Sequence, residues 1–232
     1  MLVTSMATTM SLLEIFRSGG PIMWPLVIFS LITVAIIIER SINLRSSRIV
    51  DRGLVERVTA LAESGRADRA ANVCRETPGM FANIVLPGLD LAHKGEVIAK
   101  EAVEDAGRHE ATRLTRYLGA LGTVAAVSPL LGLLGTVTGM IEVFDTISQQ
   151  GAGNAAELSS GISQALITTA TGLLVAIPAL IAHNYFHAKV EWIMADLEGS
   201  SLRALHGLYR ATEAEGAGTL SVGAAGASGS GN

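Results

Sequence analysis

The run Gly161–Pro178, GISQALITTATGLLVAIP, is apolar enough to cross a bilayer as one helix, yet it carries Gln164, Thr168, Thr169 and Thr171 and no charge. Hydroxyls and an amide inside a membrane helix are costly unless they meet a partner helix, a file of water or an ion. The pattern predicts a membrane assembly with a polar interior rather than a simple anchor.

Outward from this run, two more uncharged stretches are long enough to span, since a hydrocarbon core needs about 20 residues of helix. The sequence predicts an all-α membrane protein with three transmembrane helices at residues 21–39, 117–144 and 158–185. Composition agrees: the chain has 232 residues, 49% of them hydrophobic and 16% charged, against roughly 25% charged in soluble domains. Mean hydropathy is +0.43. Cys74 is the single cysteine, so no internal disulfide is possible, and with five scattered histidines it makes no zinc spacing. His183 and His187 share an i, i+4 spacing but have no third ligand in sequence, so interfacial anchoring beside Tyr185 and Lys189 is expected there rather than a metal. The arginines are dispersed among acids, which argues against nucleic-acid binding.

Lysines and arginines set the expected orientation. Of the 17, Arg17 precedes the first span, 13 lie from Arg40 to Arg116, and Lys189, Arg203 and Arg210 follow the third span. The connection between the second and third spans has none, only Glu142, Asp145 and Glu157. The N-terminus and the 145–157 loop are therefore expected outside, with 40–116 and the C-terminus cytoplasmic. Those three acids are either solvated loop residues or a weak, salt-sensitive cation attractor. Residues 1–16 carry no positive charge and no small-residue cleavage site, unlike a secretory signal. Within residues 1–20, Ser11–Glu14 reads as a capping box opening a helix that lies on the membrane surface, before Gly19–Gly20–Pro21 turns the chain inward.

The cytoplasmic segment reads as helical. Leu54, Val55, Val58, Leu61 and Ala62 keep a helical period that stops at Gly65. A second helix covers 67–76, and a third covers 81–93, with Pro87 inside and Gly95 ending it. No breaker follows until Pro129, so one helix is expected from Val97 through Phe144, roughly 70 Å long. The third span is expected to continue as a helix over 186–212, and the Gly-, Ala- and Ser-rich residues 213–232 to be disordered.

Small residues organise the spans. Ser128, Gly132, Gly135, Thr136 and Gly139 share one face of the second, while Ala165, Thr169, Gly172, Ala176 and Ala179 form a stripe on the third. Gln164, Thr168, Thr171 and Val175 make a neighbouring stripe. Such faces let helix backbones approach closely; they also read as a hydroxyl-lined wall beside a narrow hydrated path. No ionisable residue lies in the middle of any span. If ions pass, the titrating group must come from another chain, docking a carboxylate against the Thr136 and Thr169 faces.

Gly132–Gly139 (GLLGTVTG), the run from Gly161 through Leu173, and Gly19–Gly20–Pro21 leading to IIIER at 36–40 together resemble the MotA/TolQ/ExbB proton-channel family, over nearly the whole chain up to Tyr209. Three spans are closer to ExbB and TolQ than to the four of MotA. The resemblance implies an inner-membrane homopentamer, set in membrane lipids, around the single-span helices of an ExbD- or TolR-like dimer whose aspartate takes and releases protons. The process served would be outer-membrane work such as TonB-dependent uptake through a TonB-like protein; envelope maintenance or gliding motility is the alternative. The family's pore-facing threonines correspond to Thr136 and Thr169, with Thr168 beside them and Gly132, Gly135, Gly139, Gly172 and Pro178 in the helix packing. Its third-span glutamate is replaced by Gln164, which cannot titrate and leaves H⁺ or Na⁺ open. No enzymatic chemistry and no cofactor are expected. A non-conducting scaffold that stabilises a partner is the reading from another class.

Overall fold

The computed structural model describes residues 19–44, 51–150 and 155–227. Among them the chain is helical: α1 Met23–Asn43, α2 Arg52–Glu63, α3 Ala67–Glu76, α4 Met80–Asp90, a 3₁₀ turn Ala92–Lys94, α5 Glu96–Thr115, α6 Leu118–Gln150 and α7 Ala155–Ala227. No strand occurs among the described residues. The capping box at Ser11–Glu14 and residues 228–232 lie outside them.

Three of these helices are long and apolar enough to cross a membrane, over Met23–Asn43, Leu118–Gln149 and Leu158–Ala214. Their apolar side chains stay largely uncovered: Leu31 is 66% exposed, Leu130 62% and Leu174 73%. Apolar surface on that scale needs lipid or protein against it. The chain divides into two compact units. One joins residues up to Ser41 with Tyr117–Phe186; the other joins Ile42–Arg116 with residues from His187 onward.

In the second unit the helix boundaries follow local chemistry. Asp51 caps α2 by accepting from the Leu54 N–H at 3.2 Å. Gly65 ends that turn with φ of 74° and Gly95 stands before α5 with φ of 109°, a region that costs a side chain strain. Phe81, Ile84 and Val85 of α4, Val58 of α2, Val103 of α5 and Leu197 and Leu205 of α7 form the buried core. Gly88 brings α4 against α5: a Cβ there would lie 2.5 Å from Val103 Cγ2 and 3.0 Å from the Ala99 carbonyl. Tyr209 on α7 donates to the Ala92 carbonyl at 2.8 Å, fastening the 3₁₀ turn.

Two expectations are corrected. The helix expected to run unbroken from Val97 to Phe144 is interrupted at 116–117, although Arg116 keeps α-helical dihedrals of −46° and −42°. Thr115 just before it turns its hydroxyl onto the Ala111 and Thr112 carbonyls at 3.1 and 3.2 Å, back-bonding that bends helices. Beyond residue 212, the α7 backbone stays helical to Ala227 where disorder was expected. An existing helix extends without a new nucleus, and the alanines there favour it.

Cys74 is 2% exposed, and burial, its largest cause, pushes the thiol from 9.0 up to about 11. The folded state thus holds this proton to higher pH than the unfolded chain. The stabilisation is complete below about pH 9 and is lost as pH rises towards 11. At pH 8 maleimide should label native Cys74 far more slowly than the denatured chain; equal rates in the two states would contradict this burial.

Candidate functional site

Glycines bring α6 and α7 of the first unit into backbone contact. A Cβ on Gly172 would lie 2.6 Å from the Ser128 carbonyl oxygen and 3.1 Å from Gly132 Cα. One on Gly132 would lie 3.0 Å from Thr169 Cα, and one on Gly139 3.0 Å from Ala165 Cβ. Gly135 leaves room for the Thr168 side chain, whose Cβ would be 2.6 Å away, and Gly161 for Val143. The small faces seen in sequence on two separate spans therefore pack on one another within one chain.

The hydroxyls are disposed around that contact. Thr169, partly exposed, donates across it to the Gly132 carbonyl at 2.8 Å. One glycine thus gives up its side chain to the approach and supplies the acceptor. Thr136, also partly exposed, donates back to Leu133 at 2.7 Å. Thr138 shares its hydrogen between the Leu134 and Gly135 carbonyls at 3.0 and 3.1 Å, and Thr171 donates to Ile167 at 2.8 Å. A hydroxyl whose hydrogen is committed to a carbonyl keeps its lone pairs free, so in this arrangement Thr136 and Thr169 offer acceptors.

Thr168 and Gln164, grouped with the wall residues from sequence, are placed differently. Thr168 is 1% exposed and shares its hydrogen between the Gly19 carbonyl at 3.1 Å and that of Gln164 at 2.8 Å. Its place is in the packed interface, where it ties α7 to the turn leading into α1. The Gln164 amide nitrogen lies against Gly20, in space that a Cβ would occupy, and Gly20 has φ of 68°. Pro178 is exposed on α7 rather than packed. Ala176 and Ala179, of the small-residue stripe on the same helix, are buried.

Several other polar groups occupy defined places. Arg40, at 5% exposure near the end of α1, lies 3.1 Å from a Glu39 carboxylate oxygen, without hydrogen-bond geometry at Nε, and 4.9 Å from the Tyr117 ring centre. His183 Nδ1 is 2.9 Å from the Leu118 carbonyl; a carbonyl only accepts, so Nδ1 carries hydrogen. Gly122 makes way for that ring, since a Cβ there would be 3.2 Å from Cε1. His187 instead meets Glu191 at 3.4 Å, so the two histidines do not converge. No cluster of three or more metal-ligating side chains occurs among the described residues. Thr33 and Ser128 are buried, and their hydroxyl oxygens have no hydrogen-bond partner among the described residues. Thr33 is one of two hydroxyls, with Ser30, inside the uncharged run 21–38, and that was the available signal for it.

The model of the MotA/TolQ/ExbB proton channel family matches residues 77–199. The biopolymer transport protein ExbB-like 3 of Synechocystis sp. is 35% identical over 173 residues, covering 74% of this chain and 82% of that protein. The biopolymer transport protein ExbB of Salmonella typhimurium is 31% identical over 183 residues, 73% of this chain and 72% of that one. The Tol-Pal system protein TolQ of Pseudomonas aeruginosa is 39% identical over 108 residues, 47% of this chain and 46% of its own.

The α6–α7 contact predicts a sharp difference between glycines. Gly172→Ala places a methyl on backbone and should lower Tm, with a cost of about 1–3 kcal/mol for overpacking. Gly119→Ala meets nothing within 4 Å and should leave Tm unchanged or raise it through helix propensity. Equal tolerance at both sites in a detergent melting experiment would contradict the backbone contact.

Proposed function

Because the chain belongs to the MotA/TolQ/ExbB proton channel family, we propose that it is the channel and motor subunit of a complex in a bacterial inner membrane. With an ExbD- or TolR-like partner it uses the proton motive force to energise an outer-membrane process such as TonB-dependent uptake. The N-terminus faces the periplasm and the second unit the cytoplasm, following the distribution of lysine and arginine. The subunit assembles as a homopentamer around the partner's membrane helices. It performs no covalent chemistry and needs no cofactor.

The observation that carries this reading is the pairing of α6 and α7: partly exposed hydroxyls at Thr136 and Thr169, with no ionisable side chain from 118 to 141 or from 158 to 182. Such a surface can solvate a proton carrier but cannot be one. Both hydroxyls donate within the chain, so towards an incoming helix they offer acceptors. An acceptor favours a carboxyl in its protonated, donating form, or a hydrated cation. The partner's aspartate, neutral while it faces these threonines, crosses the apolar zone and ionises where water reaches it; moving the charge unprotonated would be far costlier. Gln164, unable to titrate, holds the turn into α1 rather than relaying protons. Sodium ions also bind hydroxyl oxygen, and flux under a sodium gradient without a pH gradient would assign them instead.

A second reading rests on the same bonds. The hydrogens of Thr168 and Thr169 are consumed by packing, as a non-conducting scaffold would also require. Threonine-to-valine substitution separates the two, because valine keeps the volume and removes the acceptor. In cells carrying the native partner, Thr136→Val and Thr169→Val should assemble normally and lower energised uptake roughly tenfold or more, the scale of one lost hydrogen bond to a charged or transferring group. Normal uptake in both variants would favour the scaffold.

A further inference from the structure

Ser128 of α6 is 0% exposed, and its Oγ has no hydrogen-bond partner among the described residues. The threonines of the same two helices behave otherwise. Thr123, Thr136, Thr138, Thr146, Thr168 and Thr171 each donate to a carbonyl three or four residues back, and Thr169 donates across the interface. A serine in a helix has the same options. Ser128 does not take them.

The next residue explains why this position differs. Pro129 lies inside α6. Proline has no N–H, so the Ala125 carbonyl, four residues earlier, receives no helical donor. An orphaned acceptor and an unpartnered hydroxyl thus stand three residues apart, on neighbouring turns of one helix face. Across from Ser128, α7 brings backbone rather than a polar side chain, since a Cβ on Gly172 would lie 2.6 Å from the Ser128 carbonyl oxygen. Val175 and Ala176, the next residues of α7 towards this level, are buried and apolar. Hydrocarbon offers no donor or acceptor to complete the set.

We propose that an ordered water molecule occupies the Pro129 break, donating one hydrogen to the Ala125 carbonyl and accepting the hydrogen of Ser128 Oγ. One molecule then satisfies both groups, and two polar partners are the minimum that holds a buried water. The site lies one helical turn from Gly132, whose carbonyl accepts from Thr169. It places a polar, exchangeable ligand inside the packed pair α6–α7, separate from the surface offered to a partner helix. It requires neither partner nor ion gradient, so its test is independent of the proposed conduction.

The test is thermal unfolding of the full chain purified in detergent. An isolated buried hydroxyl is a burden, and replacing it with alanine would raise Tm. A hydroxyl that anchors a water is a ligand, and Ser128→Ala should lower Tm by about 2–4 °C. Pro129→Ala restores an N–H donor for Ala125 and removes the water's second anchor, so in that background Ser128→Ala should lose its penalty. A rise in Tm for Ser128→Ala alone, or the same fall in both backgrounds, would overturn the proposal. Should the Pro129→Ala chain fail to fold, an experimental density map of the native chain decides. A peak within hydrogen-bond distance of both Ser128 Oγ and Ala125 O supports the site; close apolar packing with no such peak overturns it.

Discussion

A hydroxyl placed in hydrocarbon needs an acceptor, and for Thr136, Thr138, Thr168, Thr169 and Thr171 of α6 and α7 the acceptors are backbone carbonyls. That requirement governs the first unit. Thr169 reaches the Gly132 carbonyl at 2.8 Å only because residue 132 has no side chain to hold the helices apart. Gly172 lets its helix rest on the Ser128 carbonyl, and Thr168 reaches Gly19 at the head of α1. The glycines supply distance and the threonines supply bonds.

A surface assembled under that rule has a definite chemical character. With their hydrogens turned inward, Thr136 and Thr169 present oxygen to whatever approaches, and the uncharged stretches 118–141 and 158–182 around them supply no permanent ion. In the proposed complex this matches a carboxyl that arrives protonated and leaves its proton elsewhere. Membership of the proton channel family supports that assignment, and the geometry supplies a physical reason for threonine over serine at such points. A β-branched methyl fills space beside the partner while the hydroxyl stays pinned to its carbonyl.

Much of this architecture was legible in the sequence, because membrane helices are selected by length and apolarity, which a single chain displays. The C-terminal end of α2 followed from Gly65, whereas its Asp51 cap was found only in the fold. The small faces of the second and third spans were visible as periodic stripes, but a stripe does not say which neighbour it meets. They pack on each other, so Thr168, which sequence placed on the wall, is buried and holds Gly19. Gln164 likewise faces Gly20, a contact 144 residues away along the chain. The interruption at Arg116–Tyr117 was invisible because no glycine or proline marks it; side-chain bonding at Thr115 coincides with it instead. Thr33 and Ser128 illustrate a further limit: whether a buried hydroxyl is satisfied depends on atoms that only a fold brings near.

The central claim is that the acidic half of the conduit belongs to another polypeptide. Proton flux into proteoliposomes under an imposed potential tests it most directly, comparing this chain alone with the chain reconstituted beside its single-span partner. The account predicts no flux from the chain alone, flux with the partner, and its loss when the partner's membrane aspartate becomes asparagine. Flux through the chain alone, or flux that survives the loss of that aspartate, would contradict it.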